Sequence, residues 1–106
     1  MATKQQFSSF EDMLTGSELP VLVDFYATWC GPCQMMAGIL SQVNSQLKGQ
    51  LKVVKIDTDK YPQIASRHRI EALPTLVLFK AGQPIDRIEG VLPADQLVSR
   101  LTPHLS

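Results

Sequence analysis

The chain has 106 residues, enough for one small domain and no more. Its composition, 44% hydrophobic and 19% charged, suits a folded globular core and excludes a disordered chain. Ten basic residues cancel ten acidic ones, and neither a basic patch nor a bilayer-length apolar run is present, so nucleic acid and membrane are not expected as partners.

Met1 to Phe7 is polar. It lacks the apolar core of a signal peptide and the Arg- and Ser-rich look of a transit peptide, so a reducing cytoplasmic setting is expected. In that setting the only two cysteines read as a redox or metal pair rather than a structural staple. Met1 to Gln6 carries a weak edge-strand signal. Ser8-Ser9-Phe10-Glu11 reads as a capping box with Ser8 as N-cap, opening a short helix that ends near Gly16.

Val21 to Ala27 is apolar on both alternating faces except at Asp24, the pattern of a central strand covered on both sides. The second helix follows at once, through about Leu47. Met36, Ile39, Leu40, Val43 and Leu47 form its buried stripe, and Gly49 is its stop. Leu51 to Ile56 reads as another strand. Asp57 to Asp59 is expected to cap a third helix around Tyr61 to His68. Thr75 to Phe79 and Ile85 to Glu89 form a hairpin around Ala81-Gly82-Gln83. Pro93 suits the first position of a last helix with Leu97, Val98 and Leu101 inward, and Pro103 stops it early. The order predicts a single α/β domain over residues 1–106. Its central mixed sheet has five strands, flanked by four helices, with parallel neighbours from the alternating units and an antiparallel closing hairpin.

The chemistry gathers at Trp29-Cys30-Gly31-Pro32-Cys33, between the central strand and the second helix. Thiols at i and i+3 on a first helical turn share a face and can bridge. Open α/β sheets usually place their sites at such a strand end. Cys30 stands where unpaired N–H groups and the helix dipole favour a thiolate. Lowering a thiol pKa from about 8.5 to about 7 needs roughly 2 kcal/mol, within reach of these two effects. Cys33, one turn inside, is expected to be more buried. Cys30 then attacks a disulfide and Cys33 resolves the mixed disulfide. Pro32 has its φ preset for a first helical turn, and Gly31 leaves the backbone open to a docking partner. An inert structural disulfide fits the exposed-looking Trp29 and Gly-Pro spacer poorly. A zinc site lacks ligands, since His68 and His104, both expected at the surface, have no metal-like spacing.

With Val-Asp-Phe-Tyr-Ala before the cysteines, Leu73-Pro74-Thr75 before the next strand, and then Lys80, Gly82 and Gly90, the chain resembles the thioredoxin family over essentially its whole length. The resemblance implies the thioredoxin fold and protein-disulfide reductase activity without a bound cofactor. It also implies a monomer that works on protein disulfides and is re-reduced by an NADPH- or ferredoxin-dependent thioredoxin reductase. It makes Asp24 a buried acid that accepts the Cys33 proton, and Lys55 that acid's partner. The residues alone leave Asp24 equally readable as a structural cap and Lys55 as a snorkelling surface lysine. The resemblance further implies a cis Pro74, and a docking surface of Gly31, Pro32, Ala72, Leu73, Gly90 and Val91 bordered by Trp29, with the Leu73 backbone pairing an extended substrate.

Three residues depart from the family pattern. Gly38 replaces a helix-kinking proline, Gln34 a basic residue and Glu89 an apolar one; the last two slightly disfavour the Cys30 thiolate and acidic partners. Other functions on such a fold fit less well. Disulfide oxidases and isomerases usually carry His between the cysteines, and glutathione recognition needs basic residues near the site. A pure docking subunit stays compatible with the residues.

Overall fold

The computed structural model describes residues 9–105. Helix α1 (Phe10–Gly16) is capped by Ser9, whose hydroxyl oxygen accepts the Asp12 N–H at 3.1 Å. The cap thus sits one residue beyond the expected Ser8, which, like the expected strand over residues 1–6, lies outside the described residues. Strand β1 (Val21–Tyr26) is buried along nearly its whole length. Helix α2 (Gly31–Gln46) follows and buries Cys33, Met36, Leu40 and Val43 at helical spacing. It runs through Gly38 as one helix, and the turn beyond it carries Gly49 at φ 85°.

Strand β2 (Lys52–Asp57) is followed by the six-residue α3 (Pro62–Arg67). The expected Asp57–Asp59 cap of that helix is not formed: the residue before it is Tyr61, with no side-chain cap bond. Asp57 instead accepts the N–H groups of Asp59 and Lys60, because its carboxylate reaches only two and three residues on and closes the preceding turn. Strands β3 (Thr75–Lys80) and β4 (Gln83–Glu89) make the expected hairpin, with Lys80 facing Gln83 and a two-residue turn at Ala81 and Gly82. Both turn residues have positive φ, 52° and 82°, the geometry that matches the twist of the flanking strands. Pairing thus starts at Gln83, not Ile85; Pro84 is tolerated because β4 is an edge strand. Helix α4 (Ala94–Leu101) has Pro93 just outside as its N-cap, and tightens at Pro103 into a 3-10 turn over Thr102–His104.

The described sheet has the order β2-β1-β3-β4, so four of the five expected strands are seen. β1 and β2 are parallel, whereas β3 runs antiparallel to β1, against the expectation of parallel neighbours from every alternating unit. Helix α3 explains the difference. Six helical residues span about 9 Å against the roughly 20 Å of a six-residue strand, so α3 adds little reach and the connection stays at one end of the sheet. The chain reverses at the carboxyl end of β2 and returns antiparallel.

Helices cover both faces. Leu22, Leu76, Leu78 and Ile88 pack with the α2 and α4 residues Met36, Leu40, Leu97 and Leu101. Val21, Val23, Phe25, Val77 and Phe79 pack with Met13 and Leu14 of α1 and with Ile64 of α3. Fully burying each such side chain is worth about 1.5–3 kcal/mol. His68 belongs to the second layer. Its ring lies 5.4 Å from Phe79 and 5.8 Å from Phe10, centroid to centroid, and its Nε2 is 3.1 Å from Glu11. The expectation of a surface histidine fails there because three phenylalanines converge on the end of α3. His104 is also partly covered, 4.0 Å from Asp86.

Candidate active site

The strand-to-helix junction after β1 puts Cys30 at the N-cap of α2 and Cys33 on its first turn. The two sulfurs are joined as a disulfide, with the Cα atoms 5.3 Å apart. Cys30 Sγ also accepts the backbone N–H of Cys33 at 3.2 Å. That bond is the sulfur form of a helix cap: an otherwise unpaired N–H at the positive end of the helix points at the Cys30 sulfur. The expected contrast in burial is absent. Cys30 is 5% exposed and Cys33 4%, because the closed disulfide lays both against Ala27, Tyr26 and Leu73. Position on the helix distinguishes the two sulfurs; exposure does not.

The surroundings are open. Trp29 is 71% exposed, so it is no core residue, and its indole N–H donates to Asp59 at 2.8 Å. Gly31 and Pro32 are exposed. A Cβ built on Gly31 would meet nothing within 4 Å, so packing within the chain does not demand glycine there. The Leu73–Pro74 peptide bond is cis. Pro74 is buried, and its carbonyl accepts the Gly90 N–H at 2.9 Å, tying the Gly90–Val91 segment to the proline. Ala72 and Leu73 are half-buried; the Ala72 carbonyl accepts the Thr75 hydroxyl. Val91 turns inward against the α2/α4 layer. Leu73 therefore packs with the dithiol, while the Gly90 N–H is tied to the Pro74 carbonyl.

Asp24 is 1% exposed, and among the described residues neither carboxylate oxygen has a hydrogen-bond partner. Burial pushes its pKa up to about 6, and the positive charge of Lys55 holds it back from rising further. The resemblance had these two as partners. They are register neighbours across β1 and β2, but no ion pair joins them among the described residues. Lys55 is exposed and its ammonium lies over the Tyr26 ring, 5.4 Å from the centroid. The long stem lets the ammonium stay at the protein surface over that ring while its charge still acts on the acid. A cleft of about 230 Å³, lined among others by Tyr26, Cys33, Ala37 and Lys55, opens beside them.

Two residues of the site were not singled out from the sequence. Asp59 lies thirty positions from Trp29, and only the β1–β2 crossover brings them together. Tyr26 was read as a strand residue, although its place two residues after Asp24 already put both on one face. Among the described residues no group of three His, Cys, Asp or Glu side chains is arranged to hold a metal ion.

A family model described as Thioredoxin matches residues 2–103. A thioredoxin-like protein of Synechocystis is 66% identical over 101 residues, covering 95% of this chain and 96% of its own length. Thioredoxin 1 of Nostoc is 45% identical over 98 residues, 92% of either chain. Thioredoxin Y1, chloroplastic, of Arabidopsis thaliana is 60% identical over 104 residues; the match takes in 98% of this chain but 60% of that longer protein. A capped dithiol at the end of a central strand and this breadth of similarity have one explanation: the chain belongs to the thioredoxin family and is a thiol–disulfide oxidoreductase.

Proposed function

We propose that Cys30 is the attacking thiolate and Cys33 the resolving thiol of a protein-disulfide reductase. The observation that carries this assignment is the Cys33 N–H directed at the Cys30 sulfur on the first turn of α2. The same bond and the helix dipole favour a thiolate at Cys30 once the disulfide is opened. The Cys30 thiolate attacks one sulfur of a substrate disulfide, and the other substrate sulfur leaves and takes up a proton. Cys33 then attacks Cys30, releasing the second substrate thiol and closing the Cys30–Cys33 disulfide. Two electrons and two protons pass to the substrate.

Asp24, ionised above its raised pKa, accepts the Cys33 proton in the second step, directly or through water. Trp29, Gly31, Pro32, Ala72, Leu73, Pro74, Gly90 and Val91 form the docking surface, with the Leu73 backbone pairing an extended substrate segment. Members of this family act on protein disulfides and are reduced in turn by a reductase. For this chain we take that donor to be NADPH- or ferredoxin-dependent, the working unit to be a monomer, and the setting to be a reducing cytoplasm.

Reduction of a model disulfide protein by three forms tests the assignment. The Cys30→Ser variant should lose activity entirely, and Cys33→Ser should accumulate a mixed disulfide with substrate. Residual turnover in Cys30→Ser would overturn the choice of nucleophile. Fluorescence of Trp29, the single tryptophan, should follow the redox state, and the couple should titrate near thioredoxin's own reference potential of about −270 mV.

A further inference from the structure

The Lys55 side chain has a job beyond its charge, and a second residue gives it that job. In the parallel pairing of β1 with β2, Lys55 lies opposite Asp24. Tyr26 comes two residues after Asp24 and so shares its face of the sheet. The Lys55 ammonium is seated over the Tyr26 ring at 5.4 Å, within the range of a cation–π contact. A free lysine at an exposed position would distribute its charge over many rotamers and spend most of its time in water. The strand on the other side of Asp24 brings it no charge: β3 places Leu76 opposite. The positive charge of Lys55 acts on the acid and favours its ionised form.

We propose that Tyr26 is a positioning residue: its ring holds the Lys55 ammonium on the face of the sheet that carries Asp24 and so keeps a positive charge near a buried carboxylate that finds no hydrogen-bond donor among the described residues. Only the kinetic consequence, a larger ionised fraction of Asp24 ready for the Cys33 proton near neutral pH, rests on the role given to Asp24 above. Replacing the ring by an aliphatic group frees the lysine, and the acid should hold its proton to higher pH. The rise is bounded by that of removing Lys55 altogether; we expect about half a pH unit, about threefold in proton affinity.

The test is an NMR titration of the Asp24 carboxyl carbon in the oxidised protein, where Cys33 carries no proton. Tyr26→Leu and Lys55→Met should each raise the midpoint, the double variant should go no higher than Lys55→Met alone, and Tyr26→Phe should match the parent. An unchanged midpoint in Tyr26→Leu overturns the proposal. So does an equal rise when Lys55 is already gone, since that would report altered burial. The parent protein gives a check that needs no variant to fold: a ring above Lys55 shifts its ε-methylene protons upfield, and random-coil positions there refute the contact. If the midpoint moves while the pH profile of mixed-disulfide resolution stays fixed, the positioning role stands and Asp24 loses its part as acceptor.

Discussion

Asp24 on β1 and Asp86 on β4 sit in one sheet and are held in opposite ways. Asp86 receives the Arg100 guanidinium at both oxygens, 2.8 and 2.9 Å, and the Arg87 N–H at 2.9 Å. The bond from Arg100, above all, keeps its carboxyl below the usual carboxylate range. Asp24 is more deeply buried, finds no donor among the described residues, and is pushed up to about 6. A carboxylate that only fastens α4 to the sheet edge is satisfied. The one behind the redox pair is left able to exchange a proton at neutral pH. The difference supports the proposed role of Asp24 more clearly than burial alone, because strain at one site is tolerated when the rest of the fold is well satisfied.

The comparison breaks first at Asp24. In the unfolded chain this group returns to an ordinary carboxylate value near 3.8, so folding raises its pKa. The pH-dependent cost of its burial is therefore absent below that value, grows as pH rises to about 6 and then stays level. Asp24→Asn, which imitates the protonated acid, should be more stable than the parent by about 3 kcal/mol at pH 7–8. The gain should vanish near pH 3 in denaturant titrations, and disulfide reduction should slow in the same variant. A neutral-pH gain below 1 kcal/mol would show that Asp24 finds donors after all. Asp86 has the reverse sign. Its folded pKa is lowered, so its stabilisation is complete above the unfolded value and is lost as pH falls through the folded one. Arg100 is 45% exposed, which discounts the pair for solvent screening. Asp86→Asn should cost about 1 kcal/mol at neutral pH and little in acid.

Much of this was legible in the residues. The dithiol, its helix and the two-sided strand before it follow from local signals: apolar spacing, a proline in the first turn and an acid among strand-formers. What escaped was non-local. The direction of β3 depends on how far a six-residue helix reaches, not on the pattern of β3 itself. The Trp29–Asp59 bond and the Lys55–Tyr26 contact join residues on different strands or loops, where no periodicity points. His68 looked like an exposed histidine because the rings around it come from α1, β1 and β3. The cysteines' equal burial was hidden for another reason: it belongs to the closed disulfide, and sequence carries no oxidation state.

A change that touches neither acid calibrates the pH dependence. Gly38 is exposed in mid-helix, and a Cβ there would meet nothing within 4 Å. Gly38→Ala should add about 0.5–1 kcal/mol, the same at pH 4 and pH 8, by relieving the entropy cost of glycine in a helix. A gain that varied with pH would mean that α2 couples to Asp24 along its length.

The smallest effect separates a fastened carboxylate from a merely neighbouring one. Arg67 donates to Glu11 at 3.0 Å through a single nitrogen, and the two side chains are 56% and 41% exposed. Both must give up rotamer freedom to meet, and water screens what they gain. Arg67→Ala should therefore cost no more than about 0.5 kcal/mol, and 1 M salt should erase even that. Asp86 differs in geometry as well as exposure: two parallel bonds from one guanidinium fix its orientation, and only 17% of its side chain is open to solvent. Salt should leave most of the Asp86→Asn cost in place. If high salt removed both losses equally, the Arg100 fork would be no more than a surface ion pair. The contrast with Asp24 would then rest on burial alone.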